Sequence, residues 1–182
     1  MAGSDRIRLF CGLQLPPTAA DEFEAWQREH LPGGGSEGRV VPPGDLHLTI
    51  AFLGPRPAAE LPAIAVALAE SAERAAPVPL RPVGYRETRS VGMIRCEDLA
   101  GTGASFAADL QERLERLGVY RREARAWLPH VTVLRFKARP GLGPPVANIR
   151  SFSVVRAALY SSLLRPSGAQ YEVLETVALG GR

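Results

Sequence analysis

Apolar and polar positions change period several times along the chain, and each change marks an element. Arg6 to Leu15 alternates into an apolar run and stops at Pro16-Pro17, which predicts a strand. From Thr18 the period becomes helical, with Phe23, Trp26 and His30 on one stripe. Thr18 and Asp21 resemble a capping box, and Asp21, Glu22 and Glu24 suit the positive end of a helix dipole. His30 then falls in the last turn, before Leu31-Pro32-Gly33, where an imidazole has a structural or surface role. The glycine-rich loop Gly33 to Gly38 is no phosphate cradle, because no Gly-Lys-Ser/Thr comes after it and the next element is a strand.

Arg39 to Pro43 leads into that second strand, Leu46-His47-Leu48-Thr49-Ile50-Ala51-Phe52, which is predicted to end at Gly54-Pro55. Ala58 to Ala76 reads as a helix burying Leu61, Ile64, Ala65, Leu68 and Ala72, with Pro62 tolerable in its first turn. Val78 to Glu87 and Ser90 to Cys96 read as strands joined near Thr88-Arg89. Gly101-Thr102-Gly103 lacks the third glycine of a dinucleotide fingerprint, since Phe106 stands in its place. It reads instead as the start of a helix with the stripe Phe106, Leu110, Leu114 and Leu117, ended by Gly118. A strand from about Trp127 to Phe136, a loop from Pro140 to Pro145, and β-rich runs Phe152 to Leu163 and Tyr171 to Leu179 complete the chain. The last two are separated by Pro166-Ser167-Gly168 and are expected to pair as a hairpin.

This order of elements predicts an α+β fold with largely antiparallel sheets and flanking helices. It reads as a duplicated strand-helix unit forming two pseudo-symmetric lobes. No stretch between His47 and His130 has linker composition, so residues 1–182 are expected to form a single two-lobed domain.

Two of the strands repeat one phrase: His47-Leu48-Thr49 and His130-Val131-Thr132 are each His-x-Thr with an apolar run after it. With three histidines and six threonines in the chain, such a double coincidence has a probability of roughly 0.003. Period two puts His47 and Thr49 on one face of their strand and Leu48, Ile50 and Phe52 on the other, with Val131 and Val133 packing likewise behind His130 and Thr132.

Two inward histidines could be a metal pair, a proton-transfer pair or two core residues. Neither copy has an acidic residue or second histidine at ligand spacing, so a metal site would be incomplete. A proton-transfer pair fits the residue types better: imidazole titrates near pH 6.5, and displacement at phosphorus needs a base and an acid together. The threonine hydroxyls would then hold non-bridging phosphate oxygens in the same cleft.

Composition narrows the picture only a little. The hydrophobic fraction of 46% and charged fraction of 23% are those of an ordinary globular protein. A net charge of +3 is compatible with an anionic ligand but far from a polybasic nucleic-acid tail. Lys137 is the only lysine, so the positive charge is almost all arginine, which GC-rich coding would also produce. Cys11 and Cys96 suit buried apolar positions in a reducing compartment, with no acid or base nearby to activate them. No secretory signal precedes the first strand and no apolar run is long enough to cross a membrane, which predicts a cytoplasmic protein.

The two phrases resemble the signature of the 2H phosphoesterases, and more closely the RNA 2′,3′-cyclic phosphodiesterases, formerly called 2′-5′ RNA ligases. The resemblance includes Arg8-Leu9-Phe10, Leu46 to Gly54, Pro129 to Arg135, and Leu159-Tyr160-Ser161-Ser162 with Tyr171. It implies a two-lobed fold with one His-x-Thr strand per lobe facing a central groove, and cofactor-free, metal-independent hydrolysis of RNA or nucleoside 2′,3′-cyclic phosphates to 2′-phosphates. His47 and His130 would be the catalytic pair, with His130 as the base that activates water and His47 as the acid for the leaving oxygen, although the sequence leaves the two roles interchangeable. Thr49, Thr132 and Arg135 would hold the phosphate. The chain departs from the family pattern at Val40-Val41, where members often carry an aromatic residue, and at Val133-Leu134 in place of Leu-Ala. A monomer is expected. A binding module with little turnover and 2′-5′ ligation by the reverse reaction are the alternatives.

Overall fold

The computed structural model describes residues 6–32, 38–166 and 168–180. Most of the Gly33 to Gly38 loop, Ser167 of the expected turn and the first five residues lie outside the described residues.

The alternation at the N-terminus forms β1 (Arg6–Gln14), flanked on one side by β3 (His47–Pro57) and on the other by β8 (Arg156–Arg165). Adding β9 (Gly168–Ala178) gives an antiparallel sheet of order β3-β1-β8-β9. The second sheet, also antiparallel, has the order β2-β6-β5-β4-β7, from β2 (Arg39–Val40), β4 (Val78–Glu87), β5 (Val91–Asp98), β6 (His130–Arg135) and β7 (Phe152–Val154). The fold is α+β with antiparallel sheets, as expected.

The assignment of strands to sheets obeys no simple division into sequence halves. The run Phe152 to Leu163, predicted as one strand, breaks at Val155: β7 closes the second sheet beside β4, and β8 enters the first beside β1. Val155 itself is 48% exposed, as suits a residue where the chain changes sheets. β8 and β9 pair as the expected hairpin.

The three helices pack between and beside these sheets. Helix α1 (Pro17–His30) starts one residue before Thr18, because Pro17 brings a fixed helical φ to the first position. No side chain caps it, so the expected Thr18–Asp21 box does not form. Its buried Phe23 meets Phe152 edge-on at 6.0 Å and Trp26 lies 5.9 Å from Tyr85, which seats α1 on the second sheet. A 3₁₀ turn at Ala58–Glu60 leads into α2 (Leu61–Arg74), which buries Ile64, Leu68 and Ala72 against β8 and β9. Helix α3 (Thr102–Arg116) buries Phe106, Leu110 and Leu114 beneath β3, β4 and β5, whereas Leu117 is 45% exposed because the helix has already ended before it. One apolar cluster includes Leu9 and Leu13 of the first sheet with Leu80, Ile94 and Val131 of the second, so burial joins the two sheets directly. Among the described residues no helix is long and apolar enough to cross a membrane.

Candidate active site

His47 and Thr49 project from β3, and His130 and Thr132 from β6; these strands belong to different sheets and lie against each other. In each copy the two polar residues are half-buried while the residue between them, Leu48 or Val131, is fully buried. Period two accounts for this much.

Both imidazoles are held in the same way. His47 Nδ1 lies 2.7 Å from the Asp45 carbonyl oxygen, and His130 Nδ1 lies 2.8 Å from that of Leu128, in each case two residues upstream. A carbonyl can only accept, so Nδ1 carries the proton in both neutral rings and Nε2 is left as the atom that takes or gives one. His47 Nε2 accepts from the Thr49 hydroxyl at 3.1 Å. The matching bond from His130 to Thr132 is absent among the described residues.

A β-bulge at the same place in both copies reorients the rest of each strand. Gly12 and Cys11 of β1 pair with Thr49 and Ala51, which leaves Ile50 as an extra residue in β3. Met93 and Gly92 of β5 pair with Thr132 and Leu134, which leaves Val133 as an extra residue in β6. Each inserted residue lies three positions after its histidine and reverses the alternation. Phe52, five after His47, therefore comes out on the polar side and is 48% exposed, contrary to the expectation that it packs with Leu48 and Ile50. Arg135, five after His130, is turned to the polar side in the same way, and donates to the Tyr171 hydroxyl at 3.0 Å.

The surroundings of His47 are apolar and cationic. Its ring lies 4.8 Å from Phe10, 5.3 Å from Tyr171 and 5.5 Å from Tyr160. Loss of hydration here is the largest cause of a pKa pushed down to about 4; the bond to Asp45 resists the shift, while the charges of Arg135 and His130 add to it. His47 is therefore neutral near pH 7. Close approach requires Gly12 opposite, where a Cβ would stand 2.9 Å from the Leu48 carbonyl oxygen and 3.5 Å from His47 Cδ2.

Two cavities flank the pair. One, of about 1220 Å³, is bordered by His47, Thr49, Phe52 and Arg135, with Arg8, Arg39 and Lys137 among its cations. The other, of about 270 Å³, is bordered by Thr49, Phe52 and His130, with Tyr120, Trp127 and Arg86. Thr49 and Phe52 border both cavities, whereas His47 borders only the larger and His130 only the smaller. Thr132 borders neither.

Several supporting residues carry no sequence signal. Gln27, 3% exposed on α1, donates through Nε2 to the carbonyls of Val41 (2.9 Å) and Val133 (3.0 Å), tying the approach to β3 to the bulge of β6. Trp127 donates its Nε1 proton to the Thr49 carbonyl at 2.9 Å and so links the strand entry of His130 to β3. Phe52 had one available signal, its offset from His47 matching that of Arg135 from His130. His30 ends α1 against Trp26, with ring centroids 5.4 Å apart, and borders neither cavity. Cys11 and Cys96 are buried free thiols whose pKa burial pushes up to about 12. Among the described residues no three His, Cys, Asp or Glu side chains are grouped to hold a metal ion.

Two antiparallel sheets flanked by three helices, with β3 and β6 lying against each other, define an α+β architecture, and comparison with known proteins gives a phosphoesterase class. The profile of the family described as LigT like Phosphoesterase matches residues 13–90. An RNA 2′,3′-cyclic phosphodiesterase of Thermus thermophilus is 31% identical, over 96% of this chain and 91% of its own. One from Escherichia coli K12 is 27% identical over 97% and 98%. The crystal structure of TT0787 from Thermus thermophilus superposes with a TM-score of 0.82 at 32% identity, covering 96% of this chain and 99% of its own. That of E. coli LigT complexed with 3′-AMP has the same fold, with a TM-score of 0.74 at 24% identity and coverage of 97% and 99%. The chain belongs to the LigT-like phosphoesterase family of the 2H superfamily.

Proposed function

We propose that this protein hydrolyses 2′,3′-cyclic phosphate ends of RNA or nucleotides to 2′-phosphates, without a metal, by proton transfer through His47 and His130. The reading rests on one observation: on two strands that meet across the sheets, each Nδ1–H is held by the carbonyl two residues upstream, leaving both Nε2 atoms to exchange protons. The names of the relatives at 31% and 27% identity support the substrate class. The whole chain acts as one two-lobed unit.

His130 Nε2 takes a proton from water as its oxygen bonds to phosphorus, and the P–O3′ bond breaks in line. His47 Nε2 gives a proton to the departing 3′ oxygen. His130 ends protonated and His47 neutral, and exchange with solvent restores both. Thr49 donates to a non-bridging oxygen, and the Arg135 guanidinium opposes the phosphate charge. Each proton transfer supplies on the order of 10²–10⁴ in rate.

The test uses a nucleoside 2′,3′-cyclic phosphate with chelator present and product analysis by chromatography. His47→Ala and His130→Ala should each lower kcat by about 10² or more. Full activity in either variant rules out the two-histidine mechanism, and binding without turnover by the unaltered protein rules out the enzyme.

A further inference from the structure

The His47 cavity is larger than one nucleotide needs. Its volume of about 1220 Å³ exceeds the roughly 300–1,000 Å³ of small-ligand pockets. Toward β2 and the turn of the β8–β9 hairpin its border is formed by Arg39, Lys137, Gly168 and Ala169.

The charges there are set against each other. Arg39 of β2 and Arg135 of β6 are direct cross-strand partners, so their side chains emerge on one face at a strand spacing of about 5 Å. Like charges in that position repel. Among the described residues neither makes an ion pair with a carboxylate, and Lys137 lies two residues further on. Asp45 feels both guanidinium groups but does not border the cavity. Glu24, the one acid on the border among the described residues, is paired with Arg28 at 3.7 Å.

Arg39 is also placed rather than loose. Val40 pairs with Leu134 and the Val41 amide donates to the Val133 carbonyl at 3.0 Å, so the backbone around it is part of the sheet. Its guanidinium lies on the backbone of Gly168, where a Cβ would stand 2.4 Å from Arg39 Cζ. Gly168 has a φ of 117°, and any other residue there would be strained and would displace the arginine.

We propose that Arg39 and Lys137 form a second phosphate subsite, which holds the phosphodiester on the 5′ side of the terminal nucleotide while Arg135 faces the reacting phosphate. The bound strand then enters past the β8–β9 hairpin. This rests on the function proposed above and adds the direction and length of the bound strand.

The test compares three substrates: a nucleoside 2′,3′-cyclic phosphate, the same compound with a 5′-phosphate, and a dinucleotide ending in the cyclic phosphate. The unaltered protein should bind the dinucleotide about tenfold more tightly by KM than the plain nucleoside. The slope of log(kcat/KM) against log[salt] should be steeper by about one for the dinucleotide. Arg39→Ala should abolish both differences, and Gly168→Ala, which moves the guanidinium without removing it, should reduce them. Equal KM for the three substrates, or a preference that survives Arg39→Ala, overturns the subsite while leaving the reaction intact. A gain confined to the 5′-phosphorylated nucleoside also overturns it, since the site would then take a terminal phosphate and not a strand. If the unaltered protein hydrolyses none of the three, the proposed reaction itself fails.

Discussion

An anion bound between the two strands should bring a proton with it. The protein by itself holds His47 at a pKa of about 4, so at pH 7 it has no proton on Nε2 to give to a leaving oxygen. Raising it to about 7 requires about 4 kcal/mol in favour of the imidazolium, at 1.36 kcal/mol per unit. A monoanion about 4 Å from the ring supplies about 4 kcal/mol at an effective dielectric of 20. The charge on a cyclic phosphate is thus enough to overcome the burial by Phe10, Tyr160 and Tyr171 that holds the ring neutral. The substrate would arm its own acid. Calorimetry with inorganic phosphate or a nucleoside 2′-phosphate, in buffers of different ionisation enthalpy, should show net proton uptake near pH 6 to 7 that disappears in His47→Asn. The C2 proton of His47 should titrate near pH 4 in the free protein and near neutrality in the complex. Binding with no proton uptake, or an unliganded His47 that titrates at 6.5, would refute the reasoning and transfer the acid role to His130.

The same geometry sets three other outcomes. Because the folded pKa of His47 is depressed from 6.5 to about 4, the unfolded chain binds its proton first, so stability is full above pH 6.5 and falls as the pH drops toward 4. The loss is about 3 kcal/mol and should be smaller in His47→Asn, as read by denaturant titration at several pH values; equal pH slopes in the two proteins would count against it. Gln27→Leu leaves the carbonyls of Val41 and Val133 without their side-chain donor and should cost about 1–3 kcal/mol in the same assay. Gly12→Ala forces β1 away from the Leu48 carbonyl; it should destabilise by about 1–3 kcal/mol and lower kcat through displacement of His47, and a fully active variant would show that the close approach is dispensable.

The chain's own residue order carries the element types, the antiparallel α+β class and the pairing of His47 with Thr49 and of His130 with Thr132. These depend on local period: apolar residues recurring every second or every third to fourth position have only one face to bury. The helix at Leu61–Arg74 and the hairpin of β8 and β9 were legible for that reason. Element ends were less so, as at Pro17, where backbone stereochemistry overrode the Thr18 cap. What only the tertiary structure decided involves partners distant in sequence. The break at Val155 exists because β4 and β1 stand in different sheets and each requires a neighbour. The bulges at Ile50 and Val133 are defined only against β1 and β5, since an extra residue is extra only relative to the strand it faces. Through them a strand period that should have buried Phe52 beside Leu48 and Ile50 turns it, with Arg135, toward the cavity that His47 borders.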